Sequence, residues 1–243
     1  MDHLETGDYL IRLLDCHNTE ELREVQKLRY DFLLKDFDEN KAEDSRLDDD
    51  GYDAFSDSIL AIEKKTGRIV GTYRVATEKT LKGKIFKSEE EFDISALRAD
   101  PDGIVEAGRA VVHKDYRAGT VVGLLWAGLV SYARDEGLRY LFGTCSLHGT
   151  DPDEYISCTS YLNQYCLCEK FDIRAVHDSF EYGSIKGLSL SAAHIPGLLK
   201  AYLKTGARVS RNGFIDRDFN SCDVMIVMDL LHMDDRYFRR FME

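Results

Sequence analysis

The chain has 243 residues, 44% of them hydrophobic and 11% aromatic, with three prolines and a net charge of −12. Length and composition fit one α/β domain with a sizeable core, and no linker, fixed-period repeat or low-complexity tract divides residues 1–243. The acid excess disfavours nucleic acid as a partner, because phosphate binding needs basic surface, and no stretch approaches the roughly 18 apolar residues that span a bilayer.

YLIRLLD (9–15) alternates and predicts a first strand. Asn18 caps a helix with Glu21 at the third helical position, the capping-box spacing. That helix runs through LREVQKLRYDFLL with Leu22, Val25, Leu28, Phe32 and Leu33 on one face. An acidic irregular segment follows, ENKAEDSRLDDDGYDAFSD. SILAIEKKTGRIVGTYRVAT (58–77) predicts a hairpin turning at Thr66-Gly67, and residues 78–100 predict short helical turns. GIVEAGRAVVH (103–113) is the next strand. TVVGLLWAGLVSYARDEG, after Gly119, predicts an amphipathic helix that stops at Gly137. LRYLFGTCSL (138–147) reads as an apolar strand and residues 152–170 as helical. PGLLKAYLKTGARV (196–209) opens with Pro196 near a helix start. DVMIVMDLL (223–231) is a final strand, followed by a short charged helix. The order predicts a mixed sheet, antiparallel early, with a parallel βαβ unit in the middle.

Six cysteines, Cys16, Cys145, Cys158, Cys166, Cys168 and Cys222, form no CxxC pair and mostly sit in apolar runs. They read as reduced, buried thiols of a cytosolic protein, and the first residues lack the pattern of a signal peptide. A zinc site from Cys158, Cys166, Cys168 and His177 fits no usual ligand spacing.

VEAGRAVVHKDYRAG (105–119) places Glu106 and Arg109 inside a strand that otherwise buries Val105, Ala107, Val111 and Val112. Residues three apart fall on opposite faces of a regular strand. A bulge, which Gly108 would permit, brings both to one side and turns backbone N–H groups toward a ligand carbonyl. The strand then runs into a helix start, where anionic groups bind. Asp48, Asp49, Asp50, Asp53 and Asp57 invite a calcium reading. With Gly51 at the sixth position, however, Arg46 would be first and Asp57 twelfth, and this argues against an EF-hand.

VEAGRAVVHKDYRAGTVVGLLWAGLVSYARDEGLRYLFGTCSL resembles the core of the GNAT acyltransferase superfamily. More narrowly it resembles the hemolysin-like branch that contains ornithine and glycine N-acyltransferases, the makers of lyso-aminolipids from acyl carrier protein thioesters. DDDGYDAFSDSILAIE, GRIVGTYRV and KSEEEFDIS extend the likeness upstream, and LLKAYLKTGARV and DRDFNSCDVMIVMDL extend it downstream. A weaker likeness to acyl-homoserine-lactone synthases runs through Arg29, the 48–53 acids, Arg74, Glu106 and Arg109. The resemblance implies a GNAT-like single domain whose central mixed, mostly antiparallel sheet is splayed at the acyl-donor site and flanked by helices. The superfamily loop Q/R-x-x-G-x-G/A falls on residues 117–122, where Thr120 and Val122 replace both glycines. Side chains there impede a backbone cradle for the CoA pyrophosphate. A phosphopantetheine arm on a carrier protein has one phosphate and no 3′-phospho-ADP, so the loop permits the donor that the family implies.

The implied reaction moves a long fatty acyl group, with or without a 3-hydroxyl, from acyl carrier protein to the amine of an amino acid: ornithine, glycine or lysine. The amine arrives as an ammonium, and Glu106 is the expected general base, directly or through one water. Amides around Ala110 and Val111 are expected to stabilise the oxyanion, with Arg109 completing the catalytic set. Val112, His113, Arg117, Gly119 and Thr120 are expected to hold the donor; for His113, proton relay and a structural role are both open. Arg29, Asp50, Asp53 and Arg74 are expected to face the acceptor. Arg74 and Arg109 either bind its carboxylate bidentately or pair with Glu106 and the 48–53 acids to hold the site. The acids are either a solvated loop or a rim that attracts the ammonium. Trp126 and the Leu124–Leu129 stripe are core, with some side chains lining an acyl tunnel. Arg134, Arg139, Lys200, Lys204, Arg208 and Arg211 are candidates for docking the carrier protein. No permanently bound cofactor and no metal is expected; acyl-CoA is the other donor. The expected location is cytoplasmic, with peripheral contact with the inner membrane left open. Two alternatives remain: an acyl-CoA-dependent N-acetyltransferase acting on a small amine, and a non-catalytic membrane-associated protein, which the lack of a strongly amphipathic basic helix disfavours.

Overall fold

The computed structural model describes residues 3–15, 17–37, 46–117 and 119–234. In chain order its strands and helices are β1 (Leu4–Thr6), β2 (Tyr9–Leu13), α1 (Thr19–Arg29), α2 (Lys35–Phe37), β3 (Asp57–Glu63), β4 (Ile69–Ala76), α3 (Glu78–Leu81), β5 (Phe92–Asp93), α4 (Ser95–Arg98) and β6 (Ile104–Val112). They continue with α5 (Thr120–Asp135), β7 (Tyr140–His148), α6 (Ile156–Tyr165), β8 (Arg174–Ala175), β9 (Ser179–Phe180), α7 (Gly197–Lys204), β10 (Arg208–Val209), β11 (Gly213–Asp216) and β12 (Ser221–Asp229). The residues group into two compact units: one holds the chain up to Lys84 with Val105–Leu138, the other Ile85–Ile104 with Arg139–Asp234.

In the first unit, β1, β2, β3, β4 and β6 pair in that order, every neighbour antiparallel. Gly67, at φ +71°, takes the left-handed position in the β3–β4 turn that the Thr66-Gly67 pair predicts. The cross-strand register sorts side chains into two faces. Ser58, Leu60, Thr72, Arg74, Glu106, Gly108 and Val111 share one; Ile59, Ala61, Gly71, Tyr73, Val75 and Ala107 share the other. α1 covers the first face: Val25 and Leu28 join Leu60, Ile62, Ile69 and Val111 in one buried cluster, with Phe32 and Leu33 packed at its edge. Burying each such aliphatic side chain contributes roughly 1.5–3 kcal/mol. α5 covers the second face so closely that a Cβ on Gly71 would lie 2.9 Å from Leu125 Cδ1. Trp126 meets Tyr73 edge-on, and Tyr132 donates to Asp57 at 2.8 Å.

Asn18 caps α1 as expected, accepting from Glu21 N at 3.0 Å. Glu21 does not close the box. Its carboxylate pairs with Arg12 of β2 and accepts from Asp15 N. A charge-assisted pair with an arginine is the stronger partner. After Arg29 the helix opens into a π-helical turn over Tyr30–Leu34, a local widening that re-aims the side chains beyond it. The first strand stops at Leu13, and β1 folds back on it as an edge hairpin with no predicted counterpart.

In the second unit β7 and β12 pair antiparallel along nine residues, from Tyr140↔Asp229 to His148↔Ser221. β10 and β11 share the other edge of β12. Ser210 fills the gap between them: its N–H donates to Met225 O, and its hydroxyl accepts from Met225 N at 3.2 Å. β9 extends the sheet beyond β11, and β5 pairs with β8.

The helix expected over 152–170 is a 3-10 turn, Pro152–Tyr155, followed by α6, which ends at Tyr165. Cys166 and Cys168 then exchange backbone hydrogen bonds with Val209, so sheet pairing ends the helix. The same pairing makes residues 208–209 a strand rather than the end of the helix read over 196–209. Beyond α6 an extended segment is tied to the helix by side chains. Thr159 and Ser160 hydroxyls accept from the N–H groups of Gly183 and Ile185, Gln164 accepts from Gly187 N, and Asn163 donates to Gly183 O. The predicted C-terminal helix lies outside the described residues.

Candidate active site

β6 carries two charges, Glu106 and Arg109, in an otherwise apolar strand, and the β4–β6 register explains how. Arg74 pairs with Gly108 and Thr72 with Val111, so Arg109 and Ala110 together face Tyr73. This is a β-bulge. Its left-handed residue is Arg109 itself, at φ +50°, next to the glycine expected to supply it. A side chain in that conformation costs about 1–2 kcal/mol. The extra residue brings Arg109 to the face that carries Arg74 and Glu106.

There Arg109 Nε donates to Asp48 Oδ2 at 3.0 Å and Nη2 to Asp50 Oδ2 at 3.1 Å. Asp50 also takes both arms of Arg74, at 2.6 and 2.8 Å. Arg29, on α1 and wholly buried, donates to both oxygens of Asp53 at 2.8 and 2.6 Å, and its Nε lies 3.0 Å from Asp48 Oδ2. Gln26, one turn earlier, donates to Asp53 at 2.9 Å. Three guanidiniums thus meet three carboxylates. Removing one member of such a buried set typically costs about 3–5 kcal/mol, because its partner is left charged in a dry place.

Electrostatics follow from that closure. Burial pushes the Asp50 carboxyl up, but the hydrogen bonds and charge of Arg74, with Arg109 behind it, outweigh burial and hold it far below the usual carboxylate range. Asp53 is likewise lowered: burial opposes, and Arg29 prevails. The acidic segment is therefore neither simply solvated nor an open rim. Asp48, Asp50 and Asp53 are spent on arginines, Asp57 accepts from Tyr132, and Asp49 accepts from Gly51 N. Asp48 pairs with Arg109 and Arg29, as the reading of the 48–53 acids as arginine partners expects; Gln26 is the member that the sequence did not single out. Gln26 was legible as a polar residue three positions before Arg29 on the face that α1 buries.

Glu106 lies on the Arg74 face of β6, opposite Ala76, with 8% of its surface exposed. The amides beyond the bulge have fixed directions. His113 N–H donates to Val70 O on β4; strand alternation turns the Val111 amide toward β4 as well and the Val112 amide away from it. The Val112 amide is therefore turned away from β4, whereas the Val111 side chain belongs to the α1 cluster.

The residues expected to hold the donor run from Val112, the last of β6, to Thr120, the first of α5. His113 is buried, edge-on to Phe32, and its Nε2 lies 2.7 Å from Arg68 Nη2. Arginine only donates, so Nε2 accepts and the ring is neutral; burial, then the charge of Arg68, lowers its pKa. Seven residues from Glu106, roughly 20 Å along a strand, His113 is too far to relay its proton in one step. Arg117 donates to Val112 O, Phe32 O and Asp36 at 3.0, 3.1 and 2.7 Å. Gly119, at φ +105°, is the N-cap of α5, and Thr120 is its first residue. A side chain at Gly119 would be strained there. Trp126, Leu124 and Leu125 are buried, as expected of core.

Five cysteines among the described residues are free and buried. Burial pushes the thiols of Cys145 and Cys158 up to about 12, and those of Cys166 and Cys222 to about 11, so they are inert at neutral pH. In the second unit Glu91, Asp216 and Asp223 bring one oxygen each within 4.8 Å of one another. Arg139 is taken up by Asp229 and Asp102, and Arg211 by Asp172. No helix among the described residues is long and apolar enough to cross a membrane.

A mostly antiparallel sheet flanked by helices, with a bulged strand leading into a helix N-terminus, defines a GNAT-type acyltransferase. Residues 28–127 match the family described as acetyltransferase (GNAT) domain. A protein named L-ornithine N(alpha)-acyltransferase from Rhodobacter capsulatus is 30% identical over 243 residues, covering 94% of this chain and 93% of the relative. One of the same name from Agrobacterium fabrum is 28% identical, covering 91% and 82%. This chain belongs to that family of GNAT acyltransferases, which removes the non-catalytic alternative. In fold it is similar to the CoA-dependent acyl-homoserine lactone synthase MesI (TM-score 0.54, 16% identity, 95% of this chain and 92% of that one). It is also similar to an aminoglycoside 6'-N-acetyltransferase complexed with coenzyme A (TM-score 0.51, 12% identity, 90% and 96%).

Proposed function

We propose that this N-acyltransferase moves a fatty acyl group from the thioester of an acyl carrier protein to the α-amine of ornithine, as a step of aminolipid synthesis. The observation that carries the mechanism is the buried Glu106 on the strand that is bulged at Arg109. Glu106 takes a proton from the ornithine ammonium, and the freed amine attacks the thioester carbon. Negative charge moves onto the carbonyl oxygen, where the outward amide of Val112 and the bulge amide of Ala110 donate to it. The intermediate collapses: the C–N bond stays, the C–S bond breaks with its electron pair on sulfur, the proton held by Glu106 passes to the thiolate, and the freed Glu106 carboxylate takes the second proton from the attacking nitrogen and releases it to solvent, leaving a neutral amide. Arg29, Asp50, Asp53 and Arg74 form the wall of the acceptor site. Their paired charges hold its shape rather than reach for the acceptor's carboxylate.

The acceptor reading rests on the names of the relatives. The carrier-protein reading rests on Thr120 and Val122 standing where a CoA-binding loop has glycines. Val112, His113, Arg117, Gly119 and Thr120 line the path of the pantetheine arm, with the solvent-facing basic residues steering the carrier. The test is turnover by the purified protein with 3-hydroxyacyl carrier protein or the matching acyl-CoA, against ornithine, lysine and glycine, with mass detection. N-acyl ornithine from the carrier thioester is the expected result. No N-acyl product from any pair overturns the reading; product from acyl-CoA alone overturns the donor.

A further inference from the structure

A strand that needs a left-handed residue is most simply built with glycine, and Gly108 stands one position away. The chain instead places Arg109 there, at φ +50°. Its side chain must therefore supply what the backbone lacks. Its Nε and Nη2 are held by Asp48 and Asp50.

The two acids differ. Asp50 is anchored to β4 through Arg74. Asp48 is anchored to α1 by main chain and side chain together: its N–H donates to Gln26 O at 3.1 Å, its carbonyl accepts from Arg29 Nη2 at 2.7 Å, and its Oδ2 lies 3.0 Å from Arg29 Nε. Asp48 is also buried. It is a fixed post, and Arg109 is tied to it.

The bulge decides chemistry because it adds one residue to β6. Without it Thr72 would face Ala110, and every amide beyond would swap direction: Val112 toward β4, Val111 away from it. We propose that Asp48 is a positioning residue for acyl transfer, holding Arg109 in the left-handed conformation and so fixing which amides of β6 face the acyl carbonyl. This deepens the proposed acyltransferase reading and rests on it.

The experiment compares Asp48→Asn, Arg109→Ala, Arg109→Gly and Asp48→Asn/Arg109→Gly. Asp48→Asn keeps shape and loses the charge. It should lower kcat about 10–100-fold with KM for the amino acid within about threefold, since the ground-state pocket is kept and the transition-state donor is misplaced. Arg109→Ala should lose at least as much. Arg109→Gly should recover most of what Arg109→Ala loses, because glycine takes the conformation without a tether. In that background Asp48→Asn should change kcat less than about threefold. Arg109→Gly as slow as Arg109→Ala overturns the proposal. So does a KM for the amino acid raised tenfold or more by Arg109→Gly with kcat kept, which would make the guanidinium an acceptor ligand. Backbone ¹³C shifts of residues 111 and 112 give a readout without turnover: they should move in Asp48→Asn and return toward wild type in the double variant. Wild-type shifts in Asp48→Asn overturn the clamp even if activity falls. A wild-type enzyme that acylates nothing overturns the functional reading alone, and the shifts still judge the clamp.

Discussion

Arg74 and Asp50 form a two-armed fork, Nη1 to Oδ1 at 2.6 Å and Nη2 to Oδ2 at 2.8 Å, and Asp50 Oδ2 also accepts from Arg109. One carboxylate thus ties neighbouring strands of the sheet together on the face that carries Glu106. Asp50 itself lies between α2 and β3, far in sequence from β6.

Glu106→Gln preserves size and hydrogen bonding but cannot take a proton at neutral pH. With the folded state intact by circular dichroism, kcat should fall about 10²–10⁴-fold, the span of a positioned base. A loss below tenfold in steady-state assays would remove Glu106 from that role.

Acid should destabilise the protein in two steps. The folded-state pKa of His113 is depressed by burial and Arg68, while an unfolded histidine titrates near about 6.5. Below that pH the unfolded chain binds a proton the folded one resists, so the His113 contribution, whole above about 6.5, is lost as pH falls toward the folded value. Asp50, also depressed, contributes stability that is whole above about 3.9 and lost only below it. Urea midpoints measured from pH 3 to pH 8 should show both limbs. His113→Gln should remove the upper limb, and Asp50→Asn should shrink the lower one, to which the depressed Asp53 carboxyl also contributes.

Thr72 is fully buried between Leu60 and Val111, and its hydroxyl has no hydrogen-bond partner among the described residues. Thr72→Val, of nearly the same shape, should raise stability by about 1 kcal/mol, because a buried hydroxyl without a partner costs its desolvation. Chemical denaturation measures this; a loss would mean that a bound group satisfies the hydroxyl.

Gly71→Ala probes the seat of α5. The added methyl would sit 2.9 Å from Leu125 Cδ1, 3.0 Å from Val121 Cγ1 and 3.1 Å from the Val111 carbonyl. One of these neighbours is backbone and cannot yield, so overpacking should cost about 1–3 kcal/mol. A midpoint unchanged within error would show that α5 slides away freely.

Much of the first unit is legible in sequence because its signals are local. Asn18 three residues before Glu21, Thr66-Gly67 between two alternating runs, and the long apolar helix after Gly119 each specify an element without distant help. The short strands β5 and β8–β11 carry two to four residues each, too few to show a period. Val209 stops two helical readings at once because it pairs with 166–168. The candidate site divides the same way. Arginines inside apolar strands and a run of aspartates announce charge pairing, but partner choice depends on register and on the path of the loop. Asp48 in particular owes its role to its own backbone bonds with Gln26 and Arg29, which no spacing rule foretells. At the bulge, tethering of the Arg109 side chain outweighs the conformational preference that makes Gly108 the obvious candidate.

The segment 183–187 runs beside α6 along a rail of hydroxyl and amide groups. A strand guided by another strand is steered by backbone that every sequence shares, whereas this stretch is steered by four replaceable side chains. Its route therefore depends on those side chains and on the close seat of Gly183 against α6, while the β7–β12 ladder stands independently of them.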